Sequence, residues 1–450
     1  MKETVRTELS VRRERAVLVG VLLPDSQADP RDPLGELRSL ARTAGAVVVD
    51  HVLQKRNKID PIHVVGKGKA EETAERVREN NADVVIFDSD LTPAQVRVVE
   101  ETVNCKVVDR SELILDIFAT RARTKQARLQ VELAQLEYTA PRLRGMWSHL
   151  ERIAGAGGGT GVGAVGGIGT RGPGERQLEI DRRLVQKRVS RLKAELAKID
   201  RRKVRQVQAR SEQFKVALVG YTNAGKSSLM NALTGAGALV EDKLFATLDT
   251  KTRKWSMGSG EQALLSDTVG FVRNLPHHLV ASFRATLEEV IHANLLLHVV
   301  DASSPVADLE FRAVRSVLDE LGCSEKPELT LLNKIDALDD CSILPVVEGI
   351  VDNSIRISAL TGEGIDRVTD YVRERIRRER LHGIIQTSAG NGKLLAFLSS
   401  ETDVVDRRFN DERVEIEFHI SRRKLSRLRE FEGTYETLLP FPVGESIDSD

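Results

Sequence analysis

Between Lys215 and Leu233 the chain reads as an apolar strand (Lys215–Val219), a tight loop and a helix (Ser228–Leu233). The loop is Gly220-Tyr221-Thr222-Asn223-Ala224-Gly225-Lys226-Ser227. This G-x-x-x-x-G-K-[ST] spacing, set between a strand and a helix, constrains the fold more than any other feature: it demands a phosphate-binding loop in a strand–loop–helix unit of an α/β fold. Gly220 and Gly225 let the backbone wrap a phosphate so that its N–H groups point inward, and the helix opening at Ser228 adds its positive end. Lys226 reaches the β- and γ-phosphates as a point charge, and the Ser227 hydroxyl is placed to coordinate Mg²⁺.

Further motifs follow in a consistent order. Leu264-Leu265-Ser266-Asp267-Thr268-Val269-Gly270 is an apolar strand ending in Asp and then Gly. Asp267 suits a Mg²⁺ ion held through water, and the Gly270 amide suits a γ-phosphate. Between the two motifs lies Phe245-Ala246-Thr247-Leu248-Asp249, where Thr247 is the candidate to complete the metal shell, with Thr250 and Thr252 as rivals. Asn333-Lys334-Ile335-Asp336 follows the strand end Leu331-Leu332. The Asp336 carboxylate can accept from guanine N1 and the exocyclic amine, a donor pair adenine lacks. The Lys334 stem would lie over the base, Asn333 would brace the phosphate loop, and in Ser358-Ala359-Leu360 the Ala359 N–H would meet guanine O6. The order of these motifs specifies GTP over ATP. Position 271, where many enzymes of this kind place a water-orienting glutamine, is Phe271. A phenyl ring cannot hydrogen-bond to water, so intrinsic hydrolysis should be slow and should rise when a partner supplies polar groups. The competing reading gives that role to Arg273 or a backbone amide.

With 450 residues the chain has room for about three domains. Residues 1–115 alternate apolar strands (Ala16–Leu23, Ala46–Val49, Val84–Phe87, Lys106–Val108) with helices (Ala70–Arg78, Pro93–Val103), which predicts a parallel sheet covered on both faces. Gly66-Lys67-Gly68-Lys69 lacks phosphate-loop spacing and reads as a glycine turn capping the next helix. In residues 116–212, Leu129, Leu133, Leu136 and Leu143 recur at helical spacing, and Leu178, Val185, Val189, Leu192, Leu196 and Ile199 form a heptad seam. Two such arms predict an antiparallel helical hairpin. Its loop, residues 155–174, is glycine at 11 of 20 positions and reads either as a plain flexible linker or, with Arg171–Gly174 followed by Glu175 and Gln177, as a loop that orders on contact. The GTPase unit takes 213–383. Residues 384–450 form a small α+β module, with an alternating strand Val414–Phe418 and a basic helix Ser421–Arg429.

Charge separates these units. The 67 basic and 67 acidic residues cancel overall, but residues 121–212 hold 21 Lys and Arg against 9 Asp and Glu, a net of +12. Such a module suits a polyanion or, more blandly, a solvated helix pair. With 4% aromatic residues, broad base-stacking platforms are a poor main binding device. No stretch approaches the run of about 20 apolar residues a membrane helix needs, and the opening residues lack the apolar core of a secretory signal. Cys105, Cys323 and Cys341 lie far apart, without metal or disulfide spacing. The expectation is a protein of the cytoplasm, with peripheral membrane association left open.

Taken together, the chain resembles the HflX family of ribosome-associated GTPases, in the Obg–HflX group. The match spans nearly the whole length. It is carried by Val108-Asp109-Arg110, Leu113–Phe118 with Arg121–Thr124, Leu129–Leu136, Gly169–Glu179 with Asp181-Arg182-Arg183, and Asp267–Phe271. Arg176 departs from the family's usual threonine. The resemblance implies an α/β multidomain protein that binds the 50S subunit and 70S ribosome, including 23S rRNA, and is a monomer when free. It implies Mg²⁺ as cofactor and no DNA partner. In such proteins the hairpin loop reaches towards the peptidyl-transferase centre, GTP-bound protein splits stalled or stress-inactivated ribosomes, and hydrolysis releases it. Arg171, Arg176, Arg182 and Arg183 are the candidate rRNA contacts. Two other classes remain open on the sequence: a nucleotide-gated protein switch dimerising through the hairpin, and an ATP-coupled RNA remodeller using the N-terminal domain.

Overall fold

A computed structural model describes residues 14–24, 26, 28–138, 140, 183–199, 213–235, 244–245, 250–258, 261–273, 287–338, 345, 348–351, 353–410, 412–421 and 424–439. They build three sheets, with helices between and around them.

The first sheet is wholly parallel, in the order β2 (Val47–Lys55), β1 (Arg15–Leu22), β3 (Val84–Phe87), β4 (Lys106–Val108). Its strands are apolar without alternation because both faces are covered. On β1, Ala16 and Leu18 enter a core shared with α1 (Gly35–Ala44) and α4 (Arg110–Arg121). Val17 and Val19 point the other way, towards α2 (Lys67–Glu79) and α3 (Pro93–Val103). Helix α3 starts where its chemistry dictates: Pro93 occupies the first turn, Thr92 and Gln95 form a capping box, and Asn104 in the left-handed region ends it. Gly66 is the N-cap of α2, as expected of a capping turn. The strands read as Ala16–Leu23 and Ala46–Val49 are shifted to 15–22 and extended to 47–55, while β3, β4 and α3 fall at their expected bounds. Helices α1 and α4 were not anticipated. Because α4 runs to Arg121, a unit ending at 115 would cut a helix.

Helical residues 125–138 (α5) and 183–199 (α6) carry the two arms. Leu129 and Leu133 pack against Leu192 and Leu196, with Leu136, Val189 and Ile199 at the edge. Arg188–Glu132 (2.6 Å) and Lys193–Glu137 (2.8 Å) flank them. Leu143, Leu178 and the glycine-rich segment 155–174 lie outside the described residues.

The second sheet has six strands in the order β10 (Ser354–Arg356), β9 (Glu328–Asn333), β8 (Leu295–Asp301), β5 (Phe214–Gly220), β7 (Gln262–Asp267), β6 (Lys251–Ser256). All pairs are parallel except β6 with β7. Helices α7 (Lys226–Thr234) and α9 (Ile365–Arg378) cover one face, and α8 (Ala307–Glu320) the other. The α8 side is continuous with the N-terminal unit: Leu37, Ile114 and Phe118 share one core with Phe245, Val269, Phe271, Val272 and Val314. Burying a side chain of this size is worth about 1.5–3 kcal/mol, so this junction is a packed core rather than a hinge.

The third sheet, β12 (Asp403–Asn410), β13 (Arg413–Ser421), β11 (Arg380–Ser388), β14 (Tyr435–Leu439), is antiparallel. With α10 (Gly392–Glu401) and α11 (Leu425–Arg429) the chain order is β-α-β-β-α-β, a split βαβ arrangement. Val414, Ile416, Phe418 and Ile420 face its core, which explains the alternation seen in the sequence. Two expectations are corrected. The sheet begins at Arg380, so a boundary at 383/384 would fall inside β11. The basic helix spans 425–429 rather than 421–429, because Ser421 still pairs with Arg380 on β11.

Candidate functional site

The phosphate loop leaves β5 and enters α7 through Gly225, whose φ of +95° only glycine adopts freely, and where a Cβ would lie 2.2 Å from Asn333 Nδ2. The close approach has a purpose. Asn333, buried at the end of β9, donates to the Ala224 carbonyl (2.8 Å) and accepts the Ala359 N–H (2.9 Å), tying the loop to the β10–α9 turn. The Ala359 amide, expected at guanine O6, is thus engaged by Asn333 in this structure. Lys334 Nζ pairs with Asp301 (2.6 Å), Asp336 is exposed on the turn after β9, and Leu360 projects into solvent at 85% exposure. The buried Ser358 hydroxyl accepts the Thr361 N–H (3.0 Å), which shapes the same turn.

At the phosphate end, Lys226 is buried and its ammonium donates to the Gly220 (2.9 Å) and Tyr221 (2.6 Å) carbonyls. Burial lowers its pKa to about 8, with Asp267 and Glu310 pulling the other way; a bound phosphate would restore the full charge. Ser227 Oγ donates to Asp267 Oδ2 (2.7 Å). Two hard oxygen donors side by side, one charged and buried, fit a small divalent cation. Tyr221, Thr222 and Ala224 are buried, while Asn223 is exposed with φ +63°. Ser227 and Ser228 lie in the first turn of α7, half-buried.

Gly270 and Phe271 lie against this loop. Phe271 N–H donates to the Gly220 carbonyl (3.1 Å), and its carbonyl accepts the Thr222 N–H (2.7 Å). The Phe271 ring is buried in the junction core, so position 271 presents no side chain to a water molecule. Thr252 sits on strand β6 with its hydroxyl 3.0 Å from Ser266, which removes it as a loop threonine. Thr247 lies outside the described residues, as do Arg171, Arg176 and Arg182. Arg183 is exposed on α6.

One cluster escaped the sequence reading. Arg273 reaches into the N-terminal unit and pairs with Glu36 (2.6 Å) and Asp88 (2.9 Å). Arg110 pairs with the same carboxylates (3.0 and 2.8 Å) and donates to the Arg273 carbonyl. The Tyr221 hydroxyl donates to Glu36 (2.7 Å) and accepts the Arg273 N–H (2.7 Å). Burial raises the Asp88 carboxyl, with Arg110 and Arg273 opposing. The hydrogen-bonded partners that join the two units are at least 163 residues apart, so no local pattern could have shown them.

Beside the loop, Asp32, Glu36, Thr222, Asn223, Asp301 and Glu310 line part of a cavity of about 380 Å³. Burial raises the Glu310 carboxyl to about 7, against the Ser304 hydroxyl bonded to it; Asp301 and Glu36 add to the rise. The folded chain therefore holds this proton more tightly than the unfolded one. The benefit is complete below pH 4.5 and is lost as pH rises through 7. Glu310→Gln should be more stable than the parent by about 1–3 kcal/mol at pH 8, and the gap should narrow towards pH 5. Urea unfolding at both pH values checks this; an equal gap would contradict it.

Comparison with known proteins places these features in context. Family models described as GTP-binding GTPase N-terminal, GTP-binding GTPase Middle Region and 50S ribosome-binding GTPase match residues 31–119, 121–210 and 215–334. A relative from Lacrimispora saccharolytica, named GTPase HflX, is 47% identical over 83% of this chain and 86% of its own. Relatives of the same name are 41% identical in Caldanaerobacter subterraneus subsp. tengcongensis (94% and 95% covered) and 42% identical in Escherichia coli K12 (85% and 87% covered).

Proposed function

The chain belongs to the HflX family of GTPases, and from that premise we propose that it couples GTP hydrolysis to binding of the large ribosomal subunit. It binds and hydrolyses GTP. The loop 220–227 would wrap the phosphates with inward N–H groups, and Lys226 would span the β- and γ-phosphates. Asp336 would accept from guanine N1–H and the exocyclic amine, under the Lys334 stem, and the Ser358–Leu360 turn would close the base pocket. Ser227, and Asp267 through water, would hold a Mg²⁺ ion, which neutralises charge on the phosphate oxygens when bound. Thr247 would complete that shell. Water attacks the γ-phosphorus in line, the β–γ bridging oxygen leaves with GDP, and the Gly270 amide would hold a γ-phosphate oxygen as charge moves. Since Phe271 cannot orient the water, the ribosome would supply or rearrange the missing polar groups.

We infer that the GTP-bound form engages 50S and 70S particles in the cytoplasm as a monomer. Its basic hairpin would follow 23S rRNA by charge and shape. The loop 155–174 would order near the peptidyl-transferase centre, with Arg171, Arg176, Arg182 and Arg183 in contact. Splitting of stalled or stress-inactivated ribosomes, and release by hydrolysis, would follow. The observation that carries ribosome binding is the match of 215–334 to a 50S ribosome-binding GTPase beside a segment of net charge +12. Co-sedimentation with 50S subunits tests it. Binding should require GTP or its analogue, and affinity should fall at least about tenfold between 50 and 200 mM monovalent salt at fixed Mg²⁺. Binding indifferent to nucleotide and salt would overturn it. Among the described residues, no helix is long and apolar enough to cross a membrane.

A further inference from the structure

We propose that the cavity between helices α1 and α8 is a binding site for a linear polyamine, whose ammonium groups would pair with Glu310 and Asp29 while its methylene chain lies along α8.

The cavity, of about 380 Å³, has two helical walls. Gly35, Glu36 and Ser39 line it from one face of α1. Val306, Leu309, Glu310 and Ala313 line it from the start of α8, at the i, i+3, i+4, i+7 spacing of a single helix face. Gly35 and Ser39 are small, which leaves the space between the two faces open.

The lining is acidic. Asp29, Asp32, Glu36, Asp301 and Glu310 contribute to it, against Arg273 as the one basic residue among the described residues. Three of these carboxylates already hold a cation. Asp32 pairs with Arg38 (2.6 Å), Glu36 with Arg110 (3.0 Å) and Arg273 (2.6 Å), and Asp301 with Lys334 (2.6 Å). Glu310 and Asp29 have no ion pair among the described residues. Glu310 accepts the Ser304 hydroxyl (3.0 Å), and Asp29 accepts the Arg31 N–H (2.8 Å). Thr222, which lines the same cavity, is 7% exposed, with its Cγ2 turned to Gly270 and its Oγ1 without a hydrogen-bond partner among the described residues. Buried hydroxyls are as a rule bonded, so this oxygen is a vacant acceptor for an N–H donor.

The distribution of these groups selects the ligand. Among the described residues, no three His, Cys, Asp or Glu side chains converge as they would on a metal ion. The negative charge is instead spread along the walls. Between the acids, Leu244, Val306, Leu309 and Ala313 offer half-exposed apolar surface. Dispersed carboxylates with hydrocarbon between them match ammonium groups separated by methylenes, and match neither a point cation nor an anion. General attraction does not supply such binding, because the 67 basic and 67 acidic residues of the chain cancel.

Calorimetric titration of the nucleotide-free full chain with spermidine, at physiological ionic strength, tests the site. One molecule should bind, at least about tenfold more tightly than butylamine, which has the hydrocarbon but a single charge. Glu310→Gln and Asp29→Asn should each weaken spermidine by about tenfold or more, the loss of one hydrogen bond to a charged group. Circular dichroism of both variants should match the parent. A second readout needs no variant. Burial raises the Glu310 carboxyl to about 7, Asp301 and Glu36 add to the rise, and Ser304 and Lys334 oppose it. Lys226 is the further charge that acts on this group. An ammonium on ionised Glu310 must expel the proton, so affinity should rise several-fold from pH 6 to pH 7.5. Surface carboxylates with ordinary values of about 4 would give no such rise. Binding that is absent, that butylamine equals, or that neither the variants nor pH alters would overturn the proposal.

Discussion

Asp336→Asn should cost this chain at least about 10²-fold in GTP affinity and confer binding of xanthosine triphosphate. The carboxylate accepts two hydrogen bonds from guanine in the proposed complex, each worth about 1.5–3 kcal/mol because the acceptor is charged. An Asn carboxamide accepts one and presents an N–H₂ to the guanine amine, donor against donor. Xanthine carries a carbonyl where guanine carries that amine, so the same N–H₂ becomes a partner. The structure favours a clean result. Asp336 is exposed on the turn after β9, and the residue beside it that holds the phosphate loop is Asn333, not Asp336. Loss of GTP binding should therefore come without loss of fold. Fluorescent-nucleotide titration with both triphosphates reads the effect. Unchanged GTP affinity would remove Asp336 from the base pocket.

The site was legible where chemistry is local. A phosphate loop needs glycines, a lysine and a hydroxyl at fixed offsets, and these are consecutive residues. The ends of α3 were equally plain, because Thr92, Pro93 and Gln95 write a start and Asn104 a stop within 13 residues. Helix α4 shows the opposite case. It buries Arg110, Ser111, Leu113, Ile114, Leu115, Ile117 and Phe118, so its polar face is the narrow stripe Glu112, Asp116 and Thr120, and the buried Arg110 and Ser111 do not read as core residues. Its burial comes from a second domain, which a window of sequence cannot contain. The same holds for Arg273: in the sequence it was a candidate for water positioning, whereas its charge is spent on Glu36 and Asp88. Phe271 is the basis for expecting an incomplete site, and its ring is buried in the core between the two units.

In the mechanism proposed above, position 271 offers the attacking water no side chain, and most of the rate would be supplied from outside. Completion of that kind by a partner group is worth about 10³–10⁵ in turnover, and on the ribosome it would act only where the +12 segment has already brought the chain onto rRNA. Stimulation should therefore carry the salt dependence of binding, fading as monovalent salt rises, while the slow intrinsic rate stays nearly constant. Turnover of GTP with and without purified 50S subunits, at two salt concentrations and fixed Mg²⁺, tests the central claim most directly. The account predicts stimulation by 10³-fold or so at low salt and far less at high salt. Turnover unchanged by 50S subunits at either salt would contradict it.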